Sequence, residues 1–126
     1  MGGIKRTALD ALFSKYIRAK AGWICERCGK KYLHNSKGLH AAHIFTRSRQ
    51  STRFDPANVV SWDYGCHSYM DRNPYEKYEW YINKFGQDQF DSLRLRSNTP
   101  AKIDREAIKL WLKEELKSLD NVSTVE

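Results

Sequence analysis

The sequence predicts an α+β fold: a strand–loop–strand–helix unit beside a cysteine knuckle, with one helix ahead of it and further helices behind. Three observations carry this. Cys25 and Cys28 form a C-x-x-C pair in "WICERCGK", and a lone Cys66 follows downstream in "DYGCHSYM". Two short apolar runs, "LHAAHIF" and "VVSW", flank a polar loop. Apolar residues recur at helical spacing on both sides of that unit. The 126 residues fit a single domain spanning 1–126. Hydrophobic residues make up 40%, enough for a core and too many for general disorder.

The first element is a helix over 6–21, "RTALDALFSKYIRAKA", with Leu9, Leu12, Phe13, Tyr16 and Ile17 on one face. Gly22 ends it. The knuckle occupies Trp23 to Lys31, and Gly29 permits the turn after Cys28. "HNSKG" at 34–38 is a turn. Strands are expected at Leu39–Phe45 and Val59–Trp62, separated by the loop Thr46–Asn58. A helix then starts near Gly65 or Cys66, so the knuckle and the ββα unit together cover 23–72. The helical remainder covers 74–119. Pro74 opens one helix and Gly86 closes it, and a shorter one runs from Gln87 to about Arg94. The last runs from Asp104, a plausible cap, to Leu119 with Ala107, Ile108, Trp111, Leu112 and Leu116 in its stripe. Residues 120–126 are expected to fray. "YEKYEWY" has helical spacing, so Tyr75, Tyr78, Trp80 and Tyr81 are read as core packing rather than a base-stacking stripe.

Net charge is +7, which points first to an anionic partner, most often nucleic acid. No apolar run reaches membrane-spanning length, and Met1–Ala11 lacks a signal-peptide core. The expectation is a cytoplasmic protein with no membrane partner. In that compartment a C-x-x-C pair is a metal or redox motif rather than a disulfide.

Zinc takes four ligands from Cys, His or a carboxylate. Cys25 and Cys28 supply two, and Cys66 is the right type for a third. Asp63 stands three before Cys66, where a second C-x-x-C would begin, and is favoured by register as the fourth. His34 and His40 are the alternatives, as is a thiol pair without metal and Cys66 as a small core residue.

His43 near the end of the first strand, Asn58 leading the second and His67 in the following helix spell His–Asn–His. With the knuckle and the loop "RSRQSTRFDPAN", this resembles the HNH (ββα-metal) endonuclease superfamily. It is most similar to the small phage and prophage HNH proteins of the NinG/Rap kind. Those share an amphipathic helix, a C-x-x-C pair, a strand ending in "HF" or "HI", an "S-T-R-W-D" loop, an Asn and a C-x-x-C-[HN] motif. The match runs from about Leu12 to Leu93.

The resemblance implies a ββα-metal core and hydrolysis of DNA phosphodiester bonds in phage or prophage DNA processing within a bacterial host. It implies structural Zn²⁺ and catalytic Mg²⁺ or Mn²⁺. His43 would be the general base, at a pKa suited to neutral pH. Asn58 would hold the loop, and His67 would bind the catalytic cation. Arg47, Arg49 and Arg53 would contact phosphate, Arg53 foremost; the alternative for Arg53 is an ion pair with Asp55. Two positions depart from the family pattern. Ala42 stands where many members have an acidic ligand, and His40, on the same strand face, is a candidate substitute. Asp63 stands where relatives usually have Cys. The rival readings are a non-catalytic zinc-stabilised DNA-binding module and, more remotely, a thiol redox protein.

Overall fold

In the computed structural model, which describes residues 5–125 and the side chains of 5–120, five helices surround a two-stranded antiparallel sheet. Helix α1 is Ala8–Lys20. Its start is a reciprocal cap: the Asp10 backbone N–H donates to Thr7 Oγ1 at 3.2 Å, and the Thr7 backbone N–H to Asp10 Oδ2 at 2.7 Å. Gly22 follows with φ of 72°, a left-handed position that glycine takes freely.

The knuckle closes through two backbone bonds, Gly29 N–H to the Cys25 carbonyl at 2.8 Å and Cys25 N–H to the Lys30 carbonyl at 2.9 Å. Strands β1 (Leu39–His43) and β2 (Val59–Asp63) pair with Ala41 opposite Ser61 and His43 opposite Val59. The knuckle covers the outer edge of β2. Glu26 N–H donates to the Ser61 carbonyl and Ser61 N–H to the Glu26 carboxylate, both at 2.7 Å. These bonds occupy the β2 edge at Ser61, where another strand would otherwise pair.

Helix α2 (Tyr64–Asp71) continues directly from β2, and α3 (Pro74–Phe85), α4 (Gln87–Ser97) and α5 (Arg105–Val125) follow. Alternation along β2 sorts the core into two clusters. Val60 and Trp62 face Met70, Tyr81, Phe90 and Leu93, while Val59 faces Phe13, Ile17, Phe54 and Leu112. The sheet therefore lies between α2–α4 on one side and the α1–α5 pair on the other.

Several boundaries differ from the sequence reading. β1 stops at His43 because the chain then bends under the loop, and Asp63 joins β2 and caps α2. α4 continues to Ser97, whose hydroxyl meets Thr52 Oγ1 at 3.0 Å in the interior. α5 runs to Val125, not 119, so the expected tail is helical there; Glu126 and residues 1–4 lie outside the described residues. In "YEKYEWY", Tyr81 is fully buried and Trp80 packs edge-on against Trp62 at 5.0 Å, but Tyr75 is 91% exposed. Trp111 likewise only leans on Tyr16 and stays 41% exposed, while Leu112 takes the core position. No helix among the described residues is long and apolar enough to cross a membrane.

Candidate functional site

Two constellations meet at α2. The first is the cluster of Cys25, Cys28, Asp63 and Cys66, whose ligand atoms all lie within 4.8 Å of one another. These four residues can hold a metal ion. The knuckle brings two of them, the end of β2 the third, and the first turn of α2 the fourth. Asp63 divides its carboxylate between two tasks. Oδ1 accepts the Cys66 N–H at 2.8 Å and so caps α2. Oδ2 sits 3.2 Å from Cys28 Sγ and accepts the Tyr32 hydroxyl at 3.0 Å.

The electrostatics of the cluster are divided: Asp63 and Cys25 are held towards the anion, whereas Cys66 is pushed up and Cys28, despite the Lys30 N–H, is raised by the neighbouring Asp63 carboxylate. Burial works to raise the Asp63 pKa, but the Cys66 N–H and its other donors outweigh it and hold the carboxyl at about 2. Burial likewise works to raise the Cys25 thiol; backbone N–H groups of Cys28, Asp63 and Arg27 pull it below its ordinary value. Cys66 is pushed up to about 12, mainly by burial, with Arg27 Nη1 donating to its sulfur at 3.4 Å as partial compensation. His34 is not in the cluster, since its ring stacks on Trp23 at 5.2 Å. His40 is engaged elsewhere, with His67.

The second constellation lines a cleft of about 590 Å³ over β1, between α1 and the α2–α3 corner. His43, His67, Arg47 and Arg49 all line it. His43 Nε2 is 2.9 Å from the Arg53 carbonyl, which can only accept. The hydrogen of the neutral ring is therefore on Nε2, and Nδ1 keeps its lone pair. Burial lowers the His43 pKa from its ordinary value, with Arg47 adding to the effect against the Arg53 carbonyl bond. The ring is thus neutral and basic at neutral pH.

Asn58 is fully buried and ties the loop ends together. Its Oδ1 accepts Phe45 N–H at 2.8 Å, while Nδ2 donates to the Phe45 and Thr52 carbonyls at 2.9 and 3.0 Å. It thereby fixes the segment whose next carbonyl, that of Arg53, sets the His43 tautomer.

Arg53 departs from expectation. Its guanidinium is 3% exposed, donates from Nε to Asp10 Oδ1 at 3.0 Å and from Nη2 to Asp10 Oδ2, and reaches the Lys5 carbonyl at 3.0 Å. It is a buried structural cation and does not face the cleft as a phosphate contact. Asp55, its alternative partner, pairs instead with Arg96 at 3.0 Å. Arg49 is exposed, with Nη1 on Asn98 Oδ1 at 2.7 Å, and Arg47 lies 3.8 Å from Asp10 Oδ2.

His67 stands between two groups. Its Nδ1 is 3.0 Å from His40 Nδ1, and its Nε2 is 3.1 Å from Asp71 Oδ2. Lys77, 8% exposed at the start of α3, donates to the other Asp71 oxygen at 2.9 Å. Sequence reasoning missed Asp10, Asp71 and Lys77. The i,i+4 spacing of His67 and Asp71 on one helix face was the available signal for that pair. Nothing local marks Asp10 as the partner of Arg53, or Lys77 as a cleft residue. No family model matches the chain, and no curated protein or solved structure matches it significantly.

Proposed function

We propose that the chain is a metal-dependent endonuclease of the HNH (ββα-metal) type, hydrolysing DNA phosphodiester bonds. The observation that carries the reading is His43. Its Nε2–H is committed to the Arg53 carbonyl, leaving Nδ1 as the base of a ring that lines a basic cleft shared with His67. Antiparallel β1 and β2 followed directly by α2 agree with a ββα core.

Zinc is the metal proposed for the cluster. Three thiolates and a carboxylate are a legitimate zinc donor set, and Zn–S bonds of about 2.3 Å put sulfurs about 3.8 Å apart in a tetrahedron. That separation falls inside the 4.8 Å that encloses the four donor atoms. Asp63 then replaces the fourth cysteine, through the oxygen not used to cap α2.

In the cleft, His43 Nδ1 accepts a proton from water as the water oxygen bonds to phosphorus and the bond to the leaving oxygen breaks. Asn58 holds the loop and, through the Arg53 carbonyl, the tautomer that leaves Nδ1 basic. Arg47 and Arg49 contact phosphates that carry no sequence information. A divalent cation at His67 would supply positive charge to the scissile phosphate and leaving oxygen; the resemblance implies Mg²⁺ or Mn²⁺.

The test is plasmid nicking with and without added divalent metal. His43→Ala is expected to abolish nicking while zinc content and helicity stay unchanged. Near-normal nicking by that variant overturns the mechanism. One observation favours a non-catalytic DNA-binding module instead: residue 42 is a fully buried alanine, so the acidic ligand common in the family is absent. DNA binding without nicking in any metal would select that reading.

A further inference from the structure

We infer that a second cleft, lined by Arg6, Arg18 and Lys37, is an anion subsite that holds a backbone phosphate of the nucleic-acid strand, flanking the phosphate at His43. The anion site stands on its own geometry, and only the strand as the source of its phosphate rests on the nuclease reading. This cleft has a volume of about 430 Å³ and lies at the Leu39 end of β1. It shares Arg6, Ser14, Ala41 and His67 with the cleft that holds His43. The two are therefore one trench along β1, with α1 as one wall and α2 as the other. β1 has 5 residues, so the trench extends at least about 13 Å at about 3.3 Å per residue. Successive phosphates of one DNA strand rise about 3.4 Å along a duplex axis, so a strand at His43 brings more than one phosphate within that length.

Arg18 carries the argument. It is half-buried, and its guanidinium is held in place by neutral groups only. Nε donates to the Ser14 carbonyl at 3.2 Å and Nη1 to the Ser36 carbonyl at 3.2 Å, with the group lying over the Trp23 ring at 5.1 Å. Nη2 has no hydrogen-bond partner among the described residues, which leaves two N–H donors uncommitted. No carboxylate lines this cleft, whereas Asp10 and Asp71 line the first. Arg53 shows what an acid does to such a group: paired with Asp10, it is a structural cation. Arg18 has no acid of that kind.

Burial, and then the like charge of Arg6, push the Arg18 pKa below its ordinary value. The guanidinium stays protonated even so. A partly desolvated cation beside a second cation is stabilised by an anion that enters the cleft. Phosphate suits it, because guanidinium N–H groups form short, charge-assisted bonds to phosphate oxygens. Arg6 and Lys37 are exposed and line the same cleft, so their side chains can turn towards that anion. The continuity of the trench with His43 makes a strand the source: a chain entering one end brings its next phosphates to the other.

The test is fluorescence anisotropy of the full chain on a labelled DNA duplex across several salt concentrations. No Mg²⁺ or Mn²⁺ is added, so that binding is read without cleavage. Arg6→Ala and Lys37→Ala should each lower the salt slope by about one, and together by about two. Arg18→Met, which keeps an apolar stem against Trp23, should lower it by about one. Lys84→Ala, at an exposed position outside both clefts, should leave it unchanged. An equal loss in Lys84→Ala overturns the inference, since overall charge then accounts for binding. Unchanged slopes in Arg6→Ala and Lys37→Ala overturn it too, and those exposed positions decide the matter should Arg18→Met fail to fold. Inorganic phosphate replacing chloride at equal ionic strength separates a strand phosphate from a free one. DNA affinity is expected to fall less than about twofold; displacement of the DNA that Lys37→Ala abolishes marks a free-phosphate site and overturns the strand assignment. In nicking, Lys37→Ala should raise KM and leave kcat near wild type, because the flanking contact is alike in the ground and transition states. Slope changes as expected without nicking in any metal sink the nuclease reading alone. Nicking with unchanged slopes sinks this inference alone.

Discussion

Asp63 can be dissected because its two carboxylate oxygens do separable work. Oδ1 caps α2 through the Cys66 N–H at 2.8 Å, and Oδ2 faces Cys28 Sγ at 3.2 Å. Asp63→Ala removes both. The lost cap costs about 1 kcal/mol, and the metal loses one of its four ligands. Asp63→Ser keeps an oxygen that can cap but is too short and too weak a donor to replace the carboxylate at the metal. Asp63→Cys restores a thiolate ligand and forfeits most of the cap. Two measurements on the same proteins separate the terms: metal affinity by competition with a chromophoric chelator, and urea unfolding at saturating metal. Affinity should rank Cys at or above wild type, with Ser and Ala well below it. Stability of Ser over Ala should differ by about 1 kcal/mol. Acidification gives an independent check. The Asp63 pKa is depressed to about 2, so its stabilising contribution is present above the unfolded value of about 3.9 and is lost as pH falls towards 2. Protonation of the thiols releases metal in the same direction. Wild-type metal affinity in Asp63→Ala would refute the assignment of Asp63 as a ligand.

Other outcomes follow from the cleft. Asp10→Ala leaves the buried Arg53 guanidinium without its carboxylate and should cost about 3–5 kcal/mol, and it removes the Asp10 half of the reciprocal α1 cap while Thr7 still caps. Adding Arg53→Met should recover much of that in urea melts, and a loss below about 1 kcal/mol for the single variant would show that the pair is not buried in solution. The nicking rate should rise with pH as His43 loses its proton and level off below the ordinary imidazole value of about 6.5, because burial lowers its pKa. An acid limb centred well above that value would point to a different base. Arg49→Ala should weaken DNA binding evenly across sequences and reduce the salt slope by about one, read by fluorescence anisotropy at several ionic strengths. An unchanged slope would remove Arg49 from the interface.

The parts of the molecule legible in the sequence are those set by local spacing. Periodicity located the cores of α1, α3 and α5, since Phe13, Tyr81 and Leu112 are interior residues at helical intervals. Register alone brought Asp63 forward as the partner of Cys25, Cys28 and Cys66, and those four side chains do converge. What the sequence hid depends on long-range pairing. Arg53 looked like a phosphate contact because it sits in a basic loop. Whether a loop arginine faces solvent or the interior was decided by Asp10, 43 positions away and itself held by the α1 cap. Trp111 and Tyr75 show the same limit from the other side. Helical spacing puts an aromatic near a face, but only the neighbouring helix determines whether that face is covered.

Helix α2 is where the two constellations become one argument. It has 8 residues, well under the roughly 12–15 at which an isolated helix holds itself in water. Its position must therefore come from anchors, and its first turn supplies them: Asp63 caps it, and Cys66 is buried in the cluster. His67 follows Cys66 immediately, about 100° further round the helix, and so points away from the cluster towards His40. A metal bound by the four cluster residues would fix both ends of that relationship, the knuckle on β2 and the first turn of α2. Removing that metal would free the start of α2 and with it the 3.0 Å approach of His67 to His40, although neither histidine belongs to the cluster. With a metal bound, the cysteine pair would bear on the cleft by holding in place a helix too short to hold itself.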